Sequence, residues 1–196
     1  MALPIMLYDE QRLTPAWGYV FNRAWVNLDE SIVSILWKFA RLNAIAGPVV
    51  VSLAARKTID PCEGVAFTPE HIYIERLANT FHLSTRLLGI ALASKVDPMR
   101  MSSQLRWCPA CMMDGYHSVV HQFESVQRCP IHRHTLEVLC RSCQEPSAYR
   151  LHAKLLDAPY RCGHCGMGFA TYLRWQKQPC SYFAPIRRTR LYRLHF

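Results

Sequence analysis

Four pairs of metal-ligating side chains, each pair separated by two residues, crowd the second half of this chain. They read Cys108-Pro-Ala-Cys111, Cys129-Pro-Ile-His132, Cys140-Arg-Ser-Cys143 and Cys162-Gly-His-Cys165. Two intervening residues let one tight turn aim two soft donors at a single ion. Taken consecutively, the pairs give one site of three cysteines and a histidine and a second of four cysteines, with gaps of 17 and 18 residues between their halves. Both sets match tetrahedral structural zinc. A short metal module buries little apolar surface, so ligation itself supplies folding energy.

Two other readings of the same cysteines are weaker. The opening Met1-Ala-Leu-Pro-Ile-Met-Leu-Tyr-Asp9-Glu10 has no basic leader and meets acids before any long apolar run, unlike a secretory signal. Thiols that are not exported stay reduced and favour metal over disulfides. A catalytic zinc keeps an open coordination position, whereas these quartets would saturate the ion. Two structural zinc ions are therefore expected.

At 196 residues, with 51% hydrophobic and 19% charged residues, the chain has the composition of a globular protein. No apolar run approaches the roughly eighteen residues needed to cross a bilayer. A cytoplasmic protein without membrane contact is the expectation. The formal charge of +9 is uneven: residues 1–100 hold ten Lys/Arg and nine Asp/Glu, residues 101–196 thirteen and five, and no acid follows Asp157. Counting zinc-bound thiolates leaves about +6 overall. That asymmetry points to a polyanionic partner without giving sequence specificity.

The pattern predicts an α+β chain. Its N-terminal half, 1–100, reads as mainly helical, residues 101–175 as a tandem zinc-finger or zinc-ribbon domain, and 176–196 as a basic tail. Asn27-Leu-Asp-Glu30 has the form of a capping box. Leu28, Ile32, Ile35, Leu36, Phe39 and Leu42 follow at helical spacing, and Gly47-Pro48 stops the run. Residues 49–67 are ambiguous, with Pro61 and Gly64 marking a loop. Thr68-Pro69-Glu70 reads as the next helix start, with Ile74, Leu77, Ala78 and Phe81 as its buried face. A fresh cap at Ser84 opens a helix to Ser94. Residues 68–95 thus have the outline of a helix-turn-helix, with Thr85, Arg86 and Lys95 as candidate nucleic-acid contacts. A plain packing hairpin has the same outline.

Between the half-sites, Tyr116, Val119, Val120, Phe123, Val126, Leu136, Val138 and Leu139 would pack beside the ions. Gly166 lets the last pair turn back toward its sulfur. Because the pairs already satisfy two ions, His117, His121, His134 and His164 read as surface groups or as supports for the ligands. Cys62 and Cys180 read as ordinary buried or free thiols.

Trp107-Cys-Pro-Ala-Cys111, Gly115-Tyr116-His117, Gln127-Arg-Cys-Pro-Ile-His132 and Cys140-Arg-Ser-Cys143 together resemble the signature of TniQ/TnsD-like proteins. Asp29-Glu-Ser-Ile-Val-Ser34 with Phe39-Ala-Arg-Leu-Asn43 is similar to that family's opening helix. The resemblance spans about residues 26–170. It implies a target-selection factor of bacterial DNA transposition, one that sits on an attachment site or on an RNA-guided Cascade complex. Such a factor recruits an AAA+ ATPase regulator and performs no strand chemistry. Only the eight zinc ligands carry over residue by residue. Many family members continue into a long helical C-terminal region, so the resemblance here is to a short form.

Three function classes follow. A DNA-targeting adaptor would use Arg86, Lys95 and the tail arginines Arg187, Arg188, Arg190 and Arg193. A protein-binding module would use exposed aromatics such as Trp175, Tyr182 and Phe183. A second copy of the chain is a further candidate partner. An enzyme is the least supported: there is no His-x-Glu element before a Pro-Cys-x-x-Cys run and no phosphate-cradling Gly-x-x-x-x-Gly-Lys segment. Asp114, Glu124, Glu137 and Glu145 are scattered without pairing.

Overall fold

Ser31 starts the first long helix. Its hydroxyl accepts the Ser34 N–H, so α1 runs Ile32–Asn43 and ends where Ala44 turns left-handed at φ 50°. The computed structural model describes residues 18–170. The expected capping box is half present: Glu30 does reach back to the Asn27 N–H at 2.9 Å, but the helix is capped by Ser31, four residues after the predicted cap. Leu28 accordingly lies outside α1 and is exposed. The reason is that Asp29 is left-handed at φ 59°, so no helix runs from Asn27 through Glu30. The Glu30 carboxylate also receives the Ser34 hydroxyl at 2.6 Å and pairs with Lys38 Nζ at 2.6 Å, with both charged side chains buried. Lys38 donates further to Trp25 O. That network lets α1 be buried on all sides from Ile32 to Ala40, a broader burial than the expected stripe.

Gly47-Pro48 ends nothing by itself. Those residues open α2, Gly47–Ala54, with proline in the first turn, where its missing N–H costs nothing. A Cβ at Gly47 would lie 2.5 Å from Ala153 O, so glycine permits close packing of α2 on a late helix. Residues 49–67, ambiguous in sequence, are thus the rest of α2, a turn, and strand β1 at Val65–Ala66. Thr68-Pro69-Glu70 is a turn rather than a helix start: the His71 and Ile72 amides bond back to Thr68 O. Ile72 then pairs with Ala55 in an isolated bridge, which holds the chain extended until α3, Ile74–Phe81. Leu77, Ala78 and Phe81 are buried, as the spacing predicts. His82 at φ 53° turns the chain, and the Ser84 hydroxyl accepts the Leu87 N–H to begin α4, Thr85–Ala91. This second helix is shorter than the sequence suggests.

The later elements are short: α5 at Pro109–Met113, strand β2 at Arg150–Leu151 and α6 at Ala153–Leu156. The two strands pair antiparallel, Val65 opposite Leu151 and Ala66 opposite Arg150. Trp37 Nε1 donates to Leu155 O at 2.7 Å, and the Tyr160 hydroxyl lies 3.2 Å from Ser34 Oγ while donating to Gly115 O. One buried cluster therefore crosses residue 100, joining Ile35, Leu36, Phe39 and Phe81 to Leu105, Leu151, Leu155 and Tyr160. Among the described residues no helix is long and apolar enough to cross a membrane.

Candidate metal centre

Three of the four ligand pairs are built as the same hairpin tip. The amide of the first ligand donates to the carbonyl five residues on: Cys129 to His134, Cys140 to Glu145 and Cys162 to Met167. The amide four residues on returns to the first ligand's carbonyl, from Arg133, Gln144 and Gly166 at 2.9 Å each. Isolated bridges Arg128–Thr135, Leu139–Pro146 and Arg161–Gly168 flank the tips. In each tip the residue after the second ligand is left-handed, at φ 61°, 59° and 74°. Glycine makes that turn freely only at Gly166, and Arg133 and Gln144 adopt it under the constraint of the two bonds. The first pair differs. Cys108 precedes Pro109 at the start of α5, so Cys108 and Cys111 lie about one helical turn apart, and the chain leaves through Gly115 at φ 64°.

The eight predicted ligands come together as two groups, Cys108–Cys111–Cys129–His132 and Cys140–Cys143–Cys162–Cys165, each with its donor atoms within 4.8 Å of one another. Each group could hold a metal ion. In the first, Cys111 and Cys129 Sγ are 3.6 Å apart, and His132 Nδ1 lies 3.6, 3.3 and 3.7 Å from the sulfurs of Cys108, Cys111 and Cys129. In the second, Cys140–Cys165 and Cys143–Cys162 are 3.6 Å apart. A tetrahedron with bonds of about 2.3 Å to sulfur and about 2.0 Å to nitrogen has edges of about 3.8 and about 3.5 Å. The spacing fits such an ion and is far from the roughly 2.05 Å of a disulfide.

Electrostatics agree. Hydrogen bonding to Cys108 and Cys129, with burial, drives the Cys111 thiol well above its usual range, while bonds from Cys108 and Cys111, and after them His121, drive Cys129 below it. Packed thiols thus cannot all ionise alone, and a divalent cation relieves that conflict by binding thiolate. The N–H groups of His132 and His164 also point at the sulfurs of Cys129 and Cys162 at 3.4 Å. The two groups differ in access: Cys108, Cys111 and Cys129 are buried, whereas Cys165 is exposed and Cys143 half-buried.

The region between the groups is tied by backbone. Trp107 and Glu137 exchange N–H···O bonds at 2.9 and 2.8 Å, and the Trp107 ring packs on Phe169 with centroids 4.3 Å apart. Arg106, which sequence reasoning passed over, is buried and donates to Phe123 O and Val126 O at 2.6 Å, pinning the segment between the first two half-sites. Its place in a loop gave no periodic signal. His134 and His164 are exposed, but His117 and His121 are fully buried. His117 supports α1 rather than a metal ligand: Ser31 Oγ lies 2.6 Å from Nδ1 and Nε2 donates to Arg106 O at 2.8 Å. Cys62 is exposed, while Cys180 lies outside the described residues.

Thr85, Arg86 and Lys95 line one shallow groove of about 500 Å³ together with Glu75, Gly89 and Ser94. Arg187, Arg188, Arg190, Arg193, Trp175, Tyr182 and Phe183 lie outside the described residues. No protein-family model matches the sequence, and no curated protein matches it.

Proposed function

We propose that this protein is a zinc-scaffolded, non-enzymatic targeting adaptor of DNA transposition, coupling DNA or an RNA-guided Cascade complex to an AAA+ regulator. The observation that carries the reading is the pair of closed donor sets fixed beside the core that holds the helices. Four protein donors per ion leave no position for a reacting water, so the metal's role is to hold shape. The order and spacing of Trp107 to Cys111, Gly115 to His117 and Gln127 to Cys143, which resemble the TniQ/TnsD-like signature, supply the biological assignment. Thr85, Arg86 and Lys95 gathered on one groove supply a basic contact surface. The test has two arms. Native mass spectrometry should find two zinc ions per chain, and duplex DNA affinity should fall steeply as salt rises. A metal-free folded chain refutes the scaffold, and salt-independent binding refutes the phosphate contact.

One observation favours a second reading, a protein-binding module without nucleic-acid contact. Glu75 shares the groove with Arg86 and Lys95, so a carboxylate stands among the cations that would meet a phosphate backbone. Retention of an AAA+ regulator by a chain that shifts no duplex at low salt selects it.

A further inference from the structure

We propose that Cys165 is a modification site, the point at which a hydroperoxide attacks this protein and opens the four-cysteine centre while the other centre stays closed. The proposal rests on the metal-scaffold reading above. The two donor sets are alike in chemistry and opposite in access. Cys108, Cys111 and Cys129 are all at 1% exposure or less, so an oxidant cannot reach their sulfurs without unfolding. Cys165 is exposed at its hairpin tip, followed by Gly166, Met167 and Gly168, which are exposed as well. Among the described residues, and apart from its two chain neighbours, Gly166 has nothing within 4 Å of where a Cβ would stand, so the tip is not packed against another segment there. Cys165 also lines an open groove shared with Arg141, Ser142 and Arg161. Metal-bound thiolate keeps the nucleophilic lone pairs that a buried structural thiol cannot present to solvent.

The partner for the second step is in place. Cys140 Sγ is buried and stands 3.6 Å from Cys165 Sγ. The Cys165 thiolate attacks the distal oxygen of the hydroperoxide, forming an S–O bond as the O–O bond breaks, and an alkoxide (or hydroxide) leaves and takes a proton from water. The Cys140 thiolate then attacks the Cys165 sulfur, forming the disulfide and expelling hydroxide, which is protonated in turn. Two thiolates are oxidised by two electrons, and the hydroperoxide is reduced to an alcohol (or water) and water. Only Cys143 and Cys162 are left as donors there, too few to retain a structural ion.

The experiment uses the full chain, loaded with zinc and titrated with hydrogen peroxide. Native mass spectrometry counts the ions, and peptide mapping after iodoacetamide treatment locates the disulfide and the metal-shielded thiols. The expected course is loss of one ion at least tenfold faster than the other, with a Cys140–Cys165 disulfide and with Cys108, Cys111 and Cys129 still shielded. Cys165→His, which keeps four donors but removes the exposed thiol, should slow that first loss at least tenfold. Simultaneous loss of both ions, a first disulfide drawn from Cys108, Cys111 or Cys129, or oxidation confined to Cys62 with both ions kept would each overturn the proposal. In those cases the metal-scaffold reading stands, whereas a chain isolated without metal overturns both.

Discussion

Acid should destabilise this protein through His117 before its carboxylates are affected. The imidazole is fully buried, with Ser31 Oγ 2.6 Å from Nδ1 and Nε2 donating to Arg106 O at 2.8 Å, so a charge on the ring would have no water to solvate it. Burial, and after it the neighbouring His121, lowers its pKa from 6.5 to about 3. A group whose folded pKa lies below its unfolded value contributes stability that is complete above about pH 6.5 and is lost as pH falls toward about 3. The slope in that window is about 1.4 kcal/mol per pH unit, which integrates to about 1.3 kcal/mol between about pH 7 and about pH 5.5. The assay is urea unfolding followed by tryptophan fluorescence at those two pH values, with zinc in excess, for the wild type and for His117→Gln. Both chains carry the same eight ligands, so proton competition at the metal cancels in the difference. The wild type should lose about 1.3 kcal/mol more than the variant on acidification. Equal losses would refute the buried neutral imidazole.

Lys38→Met leaves the Glu30 carboxylate buried without its cation, and chemical denaturation should show a cost of about 3–5 kcal/mol, partly recovered in the Glu30→Gln/Lys38→Met double variant. Gly64→Ala forces a Cβ to within 2.4 Å of Leu151 O at a backbone φ of 64°, so the melting temperature should fall by an amount equivalent to about 1–3 kcal/mol. Cys111→Ser should reduce the zinc count from two to one by native mass spectrometry while the Cys140–Cys165 set keeps its ion. Trp37→Phe strands the Leu155 carbonyl and should cost about 1–3 kcal/mol by the same denaturation measurement.

The ligand pairs were legible because two-residue spacing is a local property, and local geometry is what a turn needs. The left-handed Arg133 and Gln144 were not, since neither is glycine and only the turn bonds and the isolated bridges flanking each tip hold them there. The α3 face and the Ser84 cap could be read from spacing for the same local reason. Gly47-Pro48 misled because the same dipeptide suits the end of one helix and the first turn of the next. Thr68-Pro69-Glu70 misled because Ile72 is held by Ala55, a partner seventeen residues away that no window around the proline contains. The burial of His117 and Arg106 was likewise invisible, as each is fixed by a segment far along the chain.

The pairing of Val65 with Leu151, and the seat of α1 against Leu155 and Tyr160, have a consequence for synthesis. A ribosome releases α1 more than a hundred residues before Leu155 and Tyr160, at a pace that leaves the flank they cover bare for several seconds or more. Folding of the nascent chain must therefore wait for the late hairpins, and a stall in the intervening stretch would present that flank to chaperones and proteases alike.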